Sequence, residues 1–314
     1  MSDGRVIRAL REQLAEAGLH GSFLVRDLSD GGEIGIDPDA EFPIASLVKL
    51  PLAIAVLSRI SDRLLDGATM IDIAPGQLTG EGLSGLGRFR HHARIAVDDL
   101  LYLSMAISDN TATDALFDLV PPPEVDRLLR EAGIAGIAVR HRMDELTDTP
   151  AQRLGARDVQ LAQSLAIGSR TAGGGHAIPQ LDMSHANTGS GRAFVDLLEA
   201  LWVPARLSAS TAEQARTLLG ENLIKHRLAP DFSSDASRWS SKTGTLLNLR
   251  HEVGVVEHDD GTAFAVAALT ESRVPAAIQP AAEAVIGHVA RALHDQLRDR
   301  LSARTRASQV VLLG

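Results

Sequence analysis

Strand-like sequence in this chain occurs near its two ends, separated by a long stretch of helical periodicity. Residues 22–28 (SFLVRDL) and 33–36 (EIGI) are short β-like runs on either side of Asp30-Gly31-Gly32, a turn signal. Residues 251–257 and 263–270 are β-rich and joined through Asp259-Asp260-Gly261, which predicts a hairpin. Between these ends, residues 46–66, 97–107, 110 onward, 157–167, 192–202 and 212–223 read as helices, and another follows a Pro triplet at 121–123. Residues 69–93 are Gly-rich and read as irregular. Residues 4–17 form an amphipathic pattern with Val6, Leu10, Leu14 and Ala17 on one face. The last long helix places Ala282, Val285, Val289, Leu293 and Leu297 together. Strands drawn from both ends of a chain can share one sheet only if the middle is set aside. The expectation is an α+β fold: an antiparallel sheet flanked by N- and C-terminal helices, plus an inserted all-helical domain. The expected division is 1–45 with 238–314 for the sheet domain and 46–237 for the helical one. Binding sites tend to lie at such boundaries.

Composition removes several function classes. Aromatic residues make up 3% of the 314 residues, too few for a surface that stacks single-stranded nucleic acid. The net charge is −9 and there is no basic run, which argues against nucleic acid and anionic membrane as partners. With no cysteine, disulfides and thiolate metal sites are unavailable. The eleven histidines form no H-E-x-x-H, so neither metal nor cofactor is expected. The start lacks a basic stretch followed by an apolar core, and the longest apolar run, 50–57, is too short to span a bilayer. The expected location is therefore cytoplasmic. Oligomeric state is not legible.

One bias is informative. Of 31 Lys plus Arg, three are lysine: Lys49, Lys225 and Lys242. Arg keeps its proton in a protein, whereas a buried Lys can release it. Two of these lysines fall in short motifs. Ser46-Leu47-Val48-Lys49 opens a predicted helix, where positions three apart share a face and the amine can reach the hydroxyl. Ser needs such a base to become a nucleophile. Pro51 lies early enough in that helix to be tolerated. Ser108-Asp109-Asn110 precedes another helix, and Lys242-Thr243-Gly244-Thr245 leads into strand-like sequence. Each alone has a plain structural explanation: a Ser cap, a capping run and a Gly-kinked strand.

Together, in this order, the three resemble the signature of class A β-lactamases and penicillin-binding proteins. Residues 44–51 (IASLVKLP) resemble that family's nucleophile helix. Residues 100–112 (LLYLSMAISDNTA) resemble the helix that delivers its second motif, and 188–194 (TGSGRAF) the segment that closes its Ω-loop. The resemblance covers most of residues 20–295. It implies an acyl-serine hydrolase with Ser46 as nucleophile and Lys49 as the group that takes its proton. Ser108, helped by Lys242, would pass a proton to the leaving nitrogen. Asn110 would hold the substrate amide or orient Lys49. Thr243 and Thr245, beside Gly244, would bind a substrate carboxylate, and the backbone N–H groups of Ser46 and Thr245 would form an oxyanion hole. Arg250 resembles the arginine that assists carboxylate binding in some members; a surface strand cation is the plainer alternative.

The chain departs from the family in the Ω-loop. Arg142-Met143-Asp144 resembles the loop's start, but no Glu occurs between Ala151 and Asn187 and the expected Glu-x-x-Leu-Asn is absent. Glu145 is the nearest candidate for the deacylating base; Asp182, His176 and His185 are others. The segment 151–187, with Gly173-Gly174-Gly175, is expected to shape the pocket. The leading reading is a hydrolase acting on a β-lactam or a related cyclic or peptide-like amide, on a small molecule carrying a carboxylate. The alternatives are a cytoplasmic serine esterase or transacylase in small-molecule biosynthesis, an acylating sensor or binding module, and a dead scaffold.

Overall fold

A strand whose two faces are both covered has no reason to alternate polar and apolar residues, and the late strands of this chain do not. In the computed structural model, which describes residues 2–74, 85–149, 159–168, 175–203 and 206–312, five strands form one sheet. They are β1 (Leu19–Asp27), β2 (Glu33–Ile36), β3 (Ser237–Leu246), β4 (Leu249–His258) and β5 (Ala263–Ser272). The order is β2-β1-β5-β4-β3, and every neighbour is antiparallel. Phe23, Val25, Val256, Phe264, Val266 and Ala268 pack with Leu10 and Leu14 of the Asp3–Glu16 helix and Ile286, Val289, Leu293 and Leu297 of the Pro280–Leu312 helix. Leu24, Val253, Val255, Ala265, Ala267 and Leu269 join the core of the helical middle. The antiparallel sheet flanked by the terminal helices, both on one face, is thus as the sequence predicts. The hairpin turns at Asp259-Asp260-Gly261, where Gly261 takes a φ of 84°.

The middle is built around the Lys49–Ser61 helix, in which every residue from Lys49 to Leu57 is buried. A helix apolar all round is one that others enclose. Here the helices Val97–Ala106, Asn110–Leu119, Pro122–Glu131 and Ala209–Gly220 surround it.

The structure departs from the sequence reading at boundaries and in short elements. The central helix ends at Ser61 rather than near residue 66, because Arg63 turns to a φ of 60° and the N–H groups of Leu64 and Leu65 both return to Arg59 O. The 69–93 stretch is not wholly irregular: Met70–Ile73 pairs with Ala93–Ala96, while 75–84 lie outside the described residues. A small sheet of Glu41–Pro43, Thr188–Ser190 and Ile137–Ala138 was not foreseen. The helix read at 157–167 is Val159–Gly168; Gly173 and Gly174 lie outside the described residues. Among the described residues, no helix is long and apolar enough to cross a membrane.

Candidate active site

The site begins with a strained turn. Strand Glu41–Pro43 runs into Ile44, whose N–H donates to Asn187 O at 2.9 Å. His251 on β4 clamps the preceding residue. Its Nδ1 accepts from Thr270 N–H at 3.0 Å, so its Nε2 carries the proton and donates to Pro43 O at 2.9 Å. Burial pushes this imidazole down to about 3, so it stays neutral. Ala45 then takes a φ of 48°, a left-handed conformation that costs a side-chain residue about 1–2 kcal/mol. Ser46 follows in a single 3₁₀ turn, Ala45–Val48, and the α-helix starts only at Lys49. This corrects the expectation that Ser46 opens the α-helix itself. In a 3₁₀ turn, positions three apart eclipse one another. Lys49 Nζ accordingly lies 3.3 Å from Ser46 Oγ.

The second motif is delivered by a comparable device. After the Val97–Ala106 helix, Ser108 adopts a φ of 57°. The Asp109 carboxylate caps the next helix by accepting from Ala112 N–H at 3.0 Å, and it also accepts from Leu86 N–H at 2.6 Å. A Cβ on Gly85 would sit 2.0 Å from Asp109 Oδ2, so only glycine permits that approach. The turn brings Ser108 O, Ser108 Oγ and Asn110 Oδ1 to 2.8, 3.0 and 2.6 Å from Lys49 Nζ. With Ser46 Oγ, four oxygens surround a nitrogen that can donate to three at most. A neutral amine, which also makes three at most, donates to two of them and has a lone pair to accept from the Ser46 hydroxyl. Burial, and then the charge of Lys242, hold Lys49 well below its ordinary value, against the opposing pull of Asp109 and Asp114.

Lys242 lies on the other side of Ser108. Its Nζ is 3.2 Å from Ser108 Oγ and 3.0 Å from Thr243 O, so the Ser108 hydroxyl sits between two amines. Burial pushes Lys242 down to about 7, opposed by Glu252 and assisted by Arg227. A lysine of the unfolded chain titrates near ~10.4. In the window from about 7 to about 10, the unfolded chain therefore binds the extra proton, and folding stability rises with pH. The burial penalty is fully present below about 7. Urea unfolding is expected to show that rise, and Lys242→Met is expected to flatten it; an unchanged slope in Lys242→Met would contradict the assignment.

Gly244 lets β3 lie against the nucleophile turn. A Cβ there would meet Ile44 O at 2.8 Å and Leu47 Cγ at 3.0 Å. Gly244→Ala must move β3 away from Ser46. The expected loss in acylation is about 10²-fold, the scale of a 1 Å misplacement, with an overpacking cost of about 1–3 kcal/mol. Labelling rates and urea unfolding would read both; an unchanged labelling rate would mean that this spacing is not critical.

A cavity of about 580 Å³ collects Ser46, Ser108, Asn110, Thr243 and Thr245. It also collects residues that sequence reasoning missed: His226, Arg227 and Glu283. Arg227 is pinned from beneath, because Glu252, fully buried, accepts from the N–H groups of Arg227 and Leu228, each at 3.0 Å. Glu252 also accepts from Trp239 Nε1 and Ser241 Oγ, each at 2.8 Å. Arg227 Nη2 then donates to Thr245 Oγ1 at 2.9 Å and reaches Glu283 at 3.4 Å. The scarcity of lysine draws attention to Lys49 and Lys242, and the family resemblance to Arg250, but neither points to Arg227. Arg250 is placed differently from Arg227. Its guanidinium is buried on the carbonyls of Leu247, Leu249, Ala276 and Ala277, with Nε 3.2 Å from Glu283.

The four loop candidates for a second base lie elsewhere. Glu145 and His185 line a separate cavity with Gln180. Asp182 and His176 line another with Phe42 and Leu249. His176 Nδ1 accepts from Ile178 N–H at 3.0 Å and its Nε2 faces Ala166 O at 2.8 Å, so the ring has no lone pair left. Among the described residues, the carboxylates lining the Ser46 cavity are those of Asp109 and Glu283.

The sequence matches the beta-lactamase enzyme family over residues 5–297. It is 58% identical over 305 residues to the beta-lactamase regulatory protein BlaB of Streptomyces cacaoi, covering 94% of this chain and 98% of that protein. Among solved structures, a beta-lactamase from Chitinophaga pinensis DSM 2588 superposes with a TM-score of 0.75 at 19% identity, covering 93% of this chain and 99% of that one. A mutant of PBP-A in acyl-enzyme complex with penicillin G does so with a TM-score of 0.73 at 16% identity, covering 94% and 97%. At these identities the structural likeness speaks for the fold.

Proposed function

Since the chain belongs to the beta-lactamase enzyme family, we propose that it is a serine acyl-transfer protein whose Ser46 is acylated by a β-lactam or a related cyclic or peptide-like amide. The observation that carries this reading is the buried Lys49 amine 3.3 Å from Ser46 Oγ. Ser46 Oγ attacks the carbonyl carbon while its proton passes to Lys49. The carbonyl oxygen, now an oxyanion, takes hydrogen bonds from the backbone N–H groups of Ser46 and Thr245. When the C–N bond breaks, Ser108 gives its proton to the departing nitrogen and is reprotonated from the neighbouring amines, Lys49 or Lys242. The product is an ester on Ser46.

Release needs a base that aligns water against that ester, and the loop candidates lie on other cavities. The acyl-serine therefore persists. A persistent adduct suits a sensor better than an enzyme that destroys antibiotics, and the regulatory role named for the Streptomyces cacaoi relative supports the same choice. A second reading, an esterase or transacylase acting on neutral acyl donors, is favoured by one observation: Glu283 stands at the cationic end of the cavity.

Intact mass followed over time with a penicillin, a cephalosporin and simple esters tests the proposal. The expected result is a single adduct of acyl mass that remains after excess reagent is removed. Rapid turnover without an adduct would make the chain a hydrolase, and no adduct with any of the three would remove acyl-serine chemistry.

A further inference from the structure

The end of the Ser46 cavity beyond Thr245 is lined by Arg227, with Arg250 buried behind Glu283, yet it offers an incoming anion very little. Arg250 has Nη1 and Nη2 on four backbone carbonyls, and its Nε lies 3.2 Å from Glu283 without a hydrogen bond. Arg227 Nη1 donates to His251 O at 3.1 Å, and its Nη2 is shared between Thr245 Oγ1 and Glu283. Arg227 Nε is buried away from any acceptor. Glu283 itself sits between the two arginines and His226, with Oε2 3.0 Å from His226 Nε2. Glu283 in the cavity wall lies against both guanidinium groups, while Glu252 accepts from the Arg227 backbone N–H and acts by its charge on Arg227 and Lys242 from beneath. Burial opposes the charge on Glu283, but the His226 hydrogen bond and the two arginines hold its carboxyl below its ordinary value. It is an anion already seated where a ligand's anion would go.

What this end does offer is of another kind. Thr245 Oγ1 accepts from Arg227, which leaves its own proton for a ligand acceptor. Ile224, Ala277 and the strongly exposed Ile278 form an apolar lip around it. A neutral carbonyl with an apolar or amine-bearing substituent meets these groups well, whereas a carboxylate faces like charge, which interfaces use to reject wrong partners.

We infer that Glu283 is a specificity-determining residue that closes the cationic end of the cavity to carboxylates, so that the chain prefers an acyl donor that is neutral or cationic where it meets Thr245. This names the ligand class for the acyl-serine reading and rests on it. It runs opposite to the expectation that the small-molecule partner carries a carboxylate, and the same experiment decides between them.

The test compares benzylpenicillin with its methyl ester, a pair that differs in this one charge. Binding is measured by calorimetry on Ser46→Ala, which cannot be acylated, with and without Glu283→Gln. The expected result is that the ester binds at least about tenfold more tightly, and that Glu283→Gln shrinks this ratio about tenfold or inverts it. Equal or tighter binding of the free acid with Glu283 present, an unchanged ratio in Glu283→Gln, or binding of neither ligand would overturn the inference. If Glu283→Gln unfolds, the ratio measured with Glu283 in place still decides. Adduct formation at Ser46 in the parent chain is scored separately. An adduct with preference for the free acid overturns this inference alone, and preference for the ester without any adduct overturns the acyl-serine reading alone.

Discussion

Lys49→Met lowers the rate of Ser46 acylation by about 10²–10⁴-fold, the range a positioned general base supplies, while leaving the protein folded. Both halves of this result follow from burial. The Lys49 amine is completely enclosed, and burial is the main reason its affinity for a proton is low. A lowered proton affinity favours the neutral amine, the form that can take the Ser46 proton, and enclosing a lysine is costly to the fold. Methionine fills a similar volume without a group to desolvate, so Lys49→Met is expected to unfold at equal or higher urea than the parent. Lys49→Arg sharpens the comparison. It keeps a cation near Ser46 but holds its proton throughout the accessible pH range. If Lys49 acts as a base, Arg fails as completely as Met; if Arg restores acylation, the residue works as a charge and the proton path is wrong.

The second large effect is on release. With a β-lactam, pre-steady-state product formation shows a burst of about one equivalent followed by turnover orders of magnitude slower, because acylation and deacylation draw on different groups. Acylation has Lys49 3.3 Å from the Ser46 hydroxyl, and Lys49 and Lys242 at 3.0 and 3.2 Å from the Ser108 hydroxyl. For deacylation, Lys49 is the base at hand. Asp109 is committed to two backbone N–H groups and Glu283 to an ion cluster. Efficient steady-state hydrolysis of a cephalosporin without a burst would mean that another group reaches the ester. Alanine variants at Glu145, Asp182, His176 and His185 would then identify it.

The parts of this structure legible in the sequence are those decided locally or by long runs. Strands at both ends of the chain and a helical middle leave few ways to assemble, and the sheet follows. Residue types within a motif also read well, because Ser46 and Lys49 are three apart and meet through one turn. The turn's character did not read. Whether those residues start an α-helix or a 3₁₀ turn depends on Ala45 being held at positive φ by its surroundings, with His251 over two hundred positions away clamping Pro43. Strands of two or three residues, such as Ile137–Ala138 and Glu41–Pro43, are too short to carry a period. The cavity's charged end was hidden for the same reason. Arg227 and Glu283 are 56 positions apart on elements that meet only in the folded chain. Arg250 was visible on its strand, but its carbonyl partners at Leu247, Ala276 and Ala277 come from loop geometry.

Everything proposed for this site turns on acylation at Ser46 Oγ. The direct measurement is peptide mapping of the chain after labelling with an acylating probe, repeated on Ser46→Ala and Ser108→Ala. The expected result is label on the peptide carrying Ser46, none in Ser46→Ala, and slowed labelling at Ser46 in Ser108→Ala. Label on Ser108, or label that survives Ser46→Ala, would contradict it.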